Sequence, residues 1–236
     1  MTTQKEAADV KIWYIKHYDF FGELNMKAME FVKQTTSMHT YRSGNLIYIS
    51  GQGENIYLLK NGQVKISRIK DDGDEIIQDV LRPGEIFGSL PMLGEFDSNG
   101  DSEHAQAAGN VVVCIIRKKD FEKLLEMHPK LHQRLSKWYG LRMRRFEERL
   151  NELIFKDVRK RLAGFLLRYA RDFGKETDGV FVVKPMLTHE EIGLLTGAAR
   201  QTVTSILNEF KQQGFLEFDR KHWRIQNLNE LKSLAD

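Results

Sequence analysis

The sequence is poor in cysteine and proline and contains no long hydrophobic run. A single cysteine, Cys114, excludes an intrachain disulfide, and it excludes an iron–sulfur cluster, which needs about four thiolates per chain. No apolar stretch approaches the roughly 20 residues that a membrane helix requires. The polar start, Met1–Lys5, lacks the apolar core of a secretory signal. We therefore expect a cytoplasmic protein without a membrane partner.

The chain also lacks a large excess of positive or negative charge, because its formal net charge is only +3. Such a balance does not by itself indicate nucleic acid, so the local distribution matters more. The densest basic stretch comprises Arg142, Arg144, Arg145, Arg149, Lys156, Arg159, Lys160 and Arg161. A solvated helix face is the commoner explanation of such a stretch.

Metal and cofactor chemistry find little support in the sequence. No His, Asp and Glu cluster has the spacing of metal ligands. The lone histidines His104 and His128 are more typical of surface or hydrogen-bonded positions than of axial ligands to haem. Cys114 lies in the apolar run Val111–Ile116, which predicts a buried strand residue. No cofactor is evident.

The 236 residues suit two domains, and the first is predicted to be a β-structure from about Tyr41 to Ile116. Short apolar runs alternate with turn residues every 8–12 positions or so, which favours a roll or sandwich. Asn61-Gly62 predicts a β-hairpin between Ile56–Leu59 and Val64–Ile69. A short helix is expected before this block, over Leu24–Thr36.

Beyond Lys119 the pattern becomes helical. A short helix ends at His128-Pro129, and Pro129 suits the first turn of a long helix. Apolar residues then recur at spacings of four and three, as in the a/d seam of a coiled coil. This seam consists of Tyr139, Met143, Phe146, Leu150 and Leu153. It predicts a homodimer, although such a stripe can also pack onto its own domain.

A helix-turn-helix is predicted over His189–Asn208. Thr188 and Glu191 have the spacing of a capping box, and Gly197 suits a turn that needs a positive φ. Ile192, Val203 and Ile206 are expected to hold the two helices together. The second helix, centred on Ala199–Asn208, is expected to present DNA-contacting side chains of Arg200, Gln201, Thr202, Thr204 and Ser205.

A β-wing is predicted after this helix pair. Phe215–Phe218 and Trp223–Ile225 flank a charged tip in which Arg220 and Lys221 are placed for phosphate contact. The second domain is therefore expected to be a winged helix-turn-helix that follows a helix over Lys156–Phe173.

These residues resemble the Crp/Fnr superfamily over nearly the whole chain. The resemblance rests on Asn61–Val64, Pro83–Gly88 and above all Thr188–Val203. It implies an α+β fold: an N-terminal antiparallel β-roll or jelly-roll sensor (1–128), a long dimerisation helix (129–155) and a C-terminal winged helix-turn-helix (156–236). It also implies a dimer that binds palindromic double-stranded DNA and contacts RNA polymerase. By resemblance, Arg200, Gln201 and Ser205 read bases, whereas Thr188 and Thr202 hold phosphates.

The predicted effector pocket departs from that of the cyclic-AMP binders of the family. Gly88-Ser89-Leu90 stands where those proteins have Gly-Glu-Leu, and Asp101-Ser102 stands where they have Arg-Ser. The Thr-Ser pair that meets the base falls at Phe146-Glu147. No Arg occurs between Leu90 and Ile116 to neutralise a cyclic phosphate. The resemblance therefore implies a regulator that does not respond to cyclic AMP and whose effector is unknown.

Two other classes of function are weaker interpretations. A cyclic-nucleotide-type module acting through protein–protein contacts is disfavoured by the wing and by the outward Arg200 and Gln201. An enzyme on a cupin-like barrel is disfavoured because metal ligands and nucleophile–base arrangements are missing.

Overall fold

A computed structural model of the chain describes residues 20–21, 24–51, 53–69, 73, 75–90, 102–219, 222–226 and 228–235. The chain divides into two compact units, Met1–Arg142 and Met143–Asp236. The boundary falls inside a long helix, so the three-segment division drawn from the sequence stays a prediction. Among the helices formed by the described residues, none combines the length and apolarity that crossing a membrane requires.

The first unit is built on an antiparallel sheet with the order β1-β6-β3-β4, in which β2 also pairs with β6 and β5 with β3. The strands are β1 (Thr36–Tyr41), β2 (Leu46–Ile49), β3 (Asn55–Ile69), β4 (Glu75–Leu81), β5 (Ile86–Gly88) and β6 (Ser102–Arg117). A roll core, which includes Leu59, Val64, Phe87, Ala105 and Val111, lies among these strands. The predicted β-roll is confirmed.

The hairpin predicted at Asn61-Gly62 is wrong. The chain continues as the single strand β3, which pairs with β6 from Asn55↔Arg117 to Ile69↔Ser102. The pairing register shifts on both sides of Asn61, which is the signature of a β-bulge. Gly62 has φ +89°, and a Cβ there would lie 2.4 Å from the carbonyl oxygen of Asn110. Glycine therefore permits a close approach of two strands here, and not a chain reversal.

Helices cover one side of the first unit. They are α1 (Met26–Thr35), capped by the Asn25 side chain, and α2 (Lys118–Met127), followed by the start of α3 (Lys130–Phe155). Their apolar faces form a helical core with strand residues such as Ile56 and Ile116. The thiol of Cys114 is buried in this core, as expected.

The long helix α3 changes environment along its length. Leu131 and Leu135 are buried, and Tyr139 packs against the helical core. Beyond the unit boundary its apolar side chains are exposed: Met143 by 60%, Phe146 by 64% and Leu150 by 47%. The predicted seam is therefore divided: Tyr139 packs onto the core of the first unit, whereas Met143, Phe146 and Leu150 form an exposed apolar stripe in the second unit.

The second unit joins helices to a small sheet with the order β7-β8-β10-β9. Its elements are α4 (Val158–Phe173), β7 (Lys175–Thr177), β8 (Val180–Val183), α5 (His189–Thr196), α6 (Arg200–Gln212), β9 (Leu216–Phe218), β10 (Trp223–Ile225) and α7 (Leu228–Ala235). The Asp157 side chain caps α4 by accepting from the Lys160 amide. Two helices followed by a two-stranded wing confirm the predicted winged helix-turn-helix.

Candidate nucleic-acid interface

The first helix of the motif, α5, begins at a complete capping box. Thr188 Oγ1 accepts from the Glu191 amide at 3.2 Å, and Glu191 Oε2 accepts from the Thr188 amide at 2.7 Å. Two amide donors at the helix start are thereby satisfied. The side chain of Thr188 remains exposed at the start of α5.

The turn between α5 and α6 depends on two glycines. Gly197 adopts the left-handed conformation, with φ 64° and ψ 45°, which costs other residue types about 1–2 kcal/mol. At Gly193 a Cβ would lie 2.4 Å from the carbonyl oxygen of Ala198, so only glycine lets the turn fold back so closely. Both glycines therefore occupy positions that fix the angle between α5 and α6.

The second helix, α6, has one buried face and one exposed face. Val203, Leu207 and Phe210 are fully buried. Ile206, which was expected to anchor the helix, is only half-buried, and Leu207 takes that place. The exposed face carries the side chains of Arg200, Gln201, Thr202, Ser205 and Asn208. Asn208 was not among the predicted contacts, although its spacing from Gln201 and Ser205 places it on the same face.

Ala199 is the N-cap residue of α6 and provides no side-chain hydrogen bond. The first amide groups of α6 therefore have no cap of the kind that α5 has. Amide donors at a helix start, together with the helix dipole, favour a phosphate. A contact between Ala199 and DNA, which was expected from the sequence, stays a prediction.

Thr204 differs from the other predicted contacts. Its hydroxyl donates to the carbonyl oxygen of Arg200 at 3.0 Å and lies 2.8 Å from His189 Nδ1. The side chain is half-buried between α5 and α6. Burial lowers the pKa of His189 below its usual value, and the positive charge of Arg200 lowers it further. His189 was missed by the sequence reasoning because only the fold brings it to Thr204.

Arg159 and Arg161 of the dense basic stretch, and Arg168 beyond it, are engaged inside the second unit. Arg159 forms an ion pair with Glu209 at 2.9 Å, and Arg168 binds both carboxylate oxygens of Glu152 at 2.5 and 2.9 Å. Arg161 donates to three backbone carbonyls. These side chains hold helices together, which the spacing of the sequence did not indicate.

The wing is formed by β9 and β10, which pair from Leu216↔Ile225 to Phe218↔Trp223. At its tip the Asp219 carboxylate accepts from the His222 amide at 2.7 Å. Arg220 and Lys221, the predicted phosphate contacts, lie outside the described residues. The strands that lead to them have the predicted positions.

The residues predicted to line one effector pocket lie in environments that differ from one residue to the next. Gly88 ends β5, Ser89 Oγ donates to the Gly53 carbonyl, and Leu90 is buried in the helical core and not in the roll core. Asp101 lies outside the described residues, and only the backbone of Ser102 is described, paired with Ile69. Phe146 is exposed on the part of α3 that belongs to the second unit.

The roll contains a polar contact that the sequence did not suggest. The Tyr48 hydroxyl donates to the Glu103 carboxylate, and the Tyr48 ring stacks on Tyr57, which stacks on Phe87. Burial and the Glu103 charge both raise the pKa of Tyr48. An acidic side chain therefore lies beside the roll core. Within the described part of the chain, no three His, Cys, Asp or Glu side chains come close enough together to hold a metal ion.

Comparisons with known proteins agree with both units. The model of the cyclic nucleotide-binding domain matches residues 38–128, and that of the Crp-like helix-turn-helix domain matches residues 160–234. The CRP-like cAMP-activated global transcriptional regulator of Mycobacterium tuberculosis is 30% identical over 193 residues, which are 81% of this chain and 85% of the relative.

Two further proteins extend the comparison. The global nitrogen regulator of Synechococcus elongatus is 28% identical over 196 residues, covering 83% of this chain and 88% of the relative. The structure of FixK2 from Bradyrhizobium japonicum superposes with a TM-score of 0.72 at 23% identity, covering 85% of this chain and 98% of that one. The structural likeness shows a shared fold.

Proposed function

Because this chain belongs to the Crp/Fnr superfamily of transcription regulators, we propose that it binds a palindromic operator as a homodimer and does not respond to cyclic AMP. Its activity is DNA-binding transcription regulation, and its relatives are named as regulators, not as enzymes. RNA polymerase is proposed as a further partner, and the cytoplasm as the location, because both the polymerase and the DNA are found there.

The observation that supports sequence-specific operator recognition is the exposed polar face of α6. Arg200 and Gln201 project from its first turn, where a helix in the major groove meets base edges. Arginine suits guanine and glutamine suits adenine, because each side chain matches the donor and acceptor pattern of that base. Thr188 and Thr202 lie near the same end, where phosphate contacts fix the register of a protein on DNA.

The homodimer is supported by the exposed stripe of α3. Met143, Phe146 and Leu150 follow one another at spacings of three and four residues, so they share one face of the helix. Fully burying such a side chain from water is worth about 1.5–3 kcal/mol, and these three are about half exposed, so a second copy of the helix would gain roughly half of that at each position. A twofold pair of recognition helices matches a palindromic operator.

A response to cyclic AMP is disfavoured by charge. Glu103 follows Asp101-Ser102, which stand where the family's cyclic-AMP binders have the phosphate-binding Arg-Ser pair, and its carboxylate accepts from Tyr48 beside the roll core. A negative charge in that place repels a phosphate, and the repulsion is stronger in partly buried surroundings than in water. The roll is proposed either to bind an effector of other chemistry or to serve as a scaffold.

Selection from a random pool of DNA duplexes tests the proposal. The wild-type chain is expected to enrich one palindromic sequence and to bind it at least about a thousandfold more tightly than a shuffled duplex at the same salt concentration. Addition of cyclic AMP is expected to leave that affinity unchanged. Failure to enrich any sequence contradicts operator reading, and a cyclic-AMP-dependent gain in affinity contradicts the effector proposal.

A further inference from the structure

Arg161 forms an unusual set of hydrogen bonds for a residue in a basic stretch. Its Nε donates to the carbonyl oxygen of Thr196 at 2.7 Å, and its two terminal nitrogens donate to the carbonyl oxygens of Lys156 at 2.6 Å and Gly197 at 3.1 Å. Every nitrogen of the guanidinium thus has a backbone acceptor within the second unit. We call this set of three contacts the Arg161 clamp.

The three acceptors lie at the ends of two helices. Lys156 follows the last residue of α3, Thr196 is the last residue of α5, and Gly197 is the turn residue that follows it. Carbonyl groups at helix ends have no partner within the helix and carry partial negative charge. A planar guanidinium with several donors satisfies such groups together, which the single ammonium of lysine does not.

A second contact joins the same two helix ends. A Cβ placed on Gly197 would lie 2.9 Å from Leu153 Cδ2, so the Leu153 side chain covers the turn directly. Nearby, Arg168 holds Glu152 of α3, and the Lys156 ammonium donates to the Ala235 carbonyl. The end of α3 is therefore held to the turn by Leu153 and, through Arg161, by hydrogen bonds. The ion pair of Glu152 and the hydrogen bond of Lys156 hold the same end of α3 to α4 and α7.

The turn held by Arg161 and Leu153 leads directly into α6. Only Ala198 and Ala199 separate Gly197 from Arg200, and Ala198 donates its amide to the Gly193 carbonyl at 2.9 Å. A shift of the Gly197 carbonyl changes the direction in which α6 starts. The exposed face of α6 then meets the DNA at a different angle.

We propose that Arg161 is a positioning residue for DNA binding, which holds the turn before α6 against the end of α3 and does not contact DNA phosphate itself. The inference rests on the proposed operator binding. It identifies Arg161 as the side chain through which the end of α3 fixes the orientation of α6. Leu153 acts with it by covering the same turn.

The test compares operator affinity and its salt dependence in three variants. Arg161→Lys keeps the charge but loses the planar fork, Arg161→Ala loses both, and Lys160→Ala is the control for removing one positive charge from the same helix. The probes are the duplex selected by the wild-type chain and a shuffled duplex of equal length. Loss of one phosphate contact lowers the slope of log affinity against log salt by about one.

The clamp predicts that Arg161→Lys and Arg161→Ala both lose roughly tenfold or more in affinity for the selected duplex. The salt slope and the affinity for the shuffled duplex should equal those of the wild type. Leu153→Ala should also weaken operator binding, and its effect should be non-additive with Arg161→Lys because both act on one turn.

Two outcomes overturn the proposal. Wild-type affinity in Arg161→Lys, or a salt slope that falls by about one in Arg161→Ala and recovers in Arg161→Lys, assigns Arg161 to phosphate contact. Amide hydrogen exchange at Ala198 gives a readout without DNA: faster exchange in Arg161→Lys is expected, and unchanged exchange also overturns the clamp. If the wild type selects no sequence, the proposed function fails, whereas this exchange measurement still decides the clamp.

Discussion

His189 Nδ1 lies 2.8 Å from Thr204 Oγ1, so a hydrogen bond joins the first residue of α5 to the second turn of α6. This bond connects the two helices whose mutual angle determines how DNA is met. Burial and the charge of Arg200 both disfavour the protonated imidazole, which is why the pKa of His189 lies below its usual value of 6.5.

A pH dependence of stability follows from this lowered pKa. Below pH 6.5 the unfolded chain binds a proton at His189 more readily than the folded chain does, so the free energy of unfolding falls as the pH falls through the folded-state pKa. His189→Gln should flatten that decline in urea denaturation measured between pH 7 and about pH 5. His132→Gln, at an exposed position of α3, is the control for removing a histidine. An unchanged pH dependence in His189→Gln would show that the histidine titrates without cost to folding.

Base reading by Arg200 should be separable from phosphate contact by Thr202. Arg200→Ala is expected to lose about 1–3 kcal/mol of operator binding and to relax specificity at one base pair of each half-site. Thr202→Val should weaken binding to matched and mismatched duplexes alike, because phosphates carry no sequence information. Titration against single-base-pair variants of the selected duplex distinguishes the two. Equal losses on all duplexes for Arg200→Ala would contradict its reading role.

The stripe on α3 should govern oligomeric state. Met143→Glu combined with Leu150→Glu places two charges on the proposed contact face, so sedimentation at micromolar concentration should shift from about twice the 27.5 kDa chain mass to one chain mass. Met26→Glu is the matched control, since Met26 is 90% exposed at the start of α1 and is not part of the stripe. A dimer that survives both stripe substitutions would place the interface elsewhere.

The turn glycine Gly197 should be more sensitive to substitution than a glycine of similar backbone conformation. Gly197 and Gly214 have φ values of +64° and +76°, but a Cβ meets Leu153 only at Gly197. Gly214→Ala should cost about 1–2 kcal/mol of unfolding free energy from backbone strain alone, and Gly197→Ala should cost more. Leu153→Ala should recover part of the additional loss in Gly197→Ala. Equal losses of unfolding free energy at the two glycines would show that the Leu153 side chain moves aside at no cost.

Structural features that depend on neighbouring residues were predicted most reliably from the sequence. The capping box of Thr188 and Glu191 and the left-handed Gly197 depend on residues within a few positions of one another, so the pattern contains most of what determines them. The helix predicted over Lys156–Phe173 was likewise close to the observed Val158–Phe173. The helix-turn-helix was therefore recognisable before any coordinates.

Long-range features were not predictable in the same way. Asn61-Gly62 is a strong local signal for a hairpin, yet the pairing of β3 with β6, some 50 residues later, overrides it. The burial of Leu207 in place of Ile206 depends on the angle at which α6 crosses α5, which periodicity alone does not determine. The internal engagement of Arg159 and Arg161 was hidden because charge counts do not show where a side chain points.

Alanine at the start of α6 leaves that helix chemically incomplete. Because Ala199 has no side-chain oxygen, the first amides of α6 receive no acceptor from the N-cap side chain, whereas α5 is closed by its own capping box. Under the proposed DNA binding, a phosphate that accepts those amides would complete the cap of this helix. Capping of α6 and recognition of the target would then be a single event.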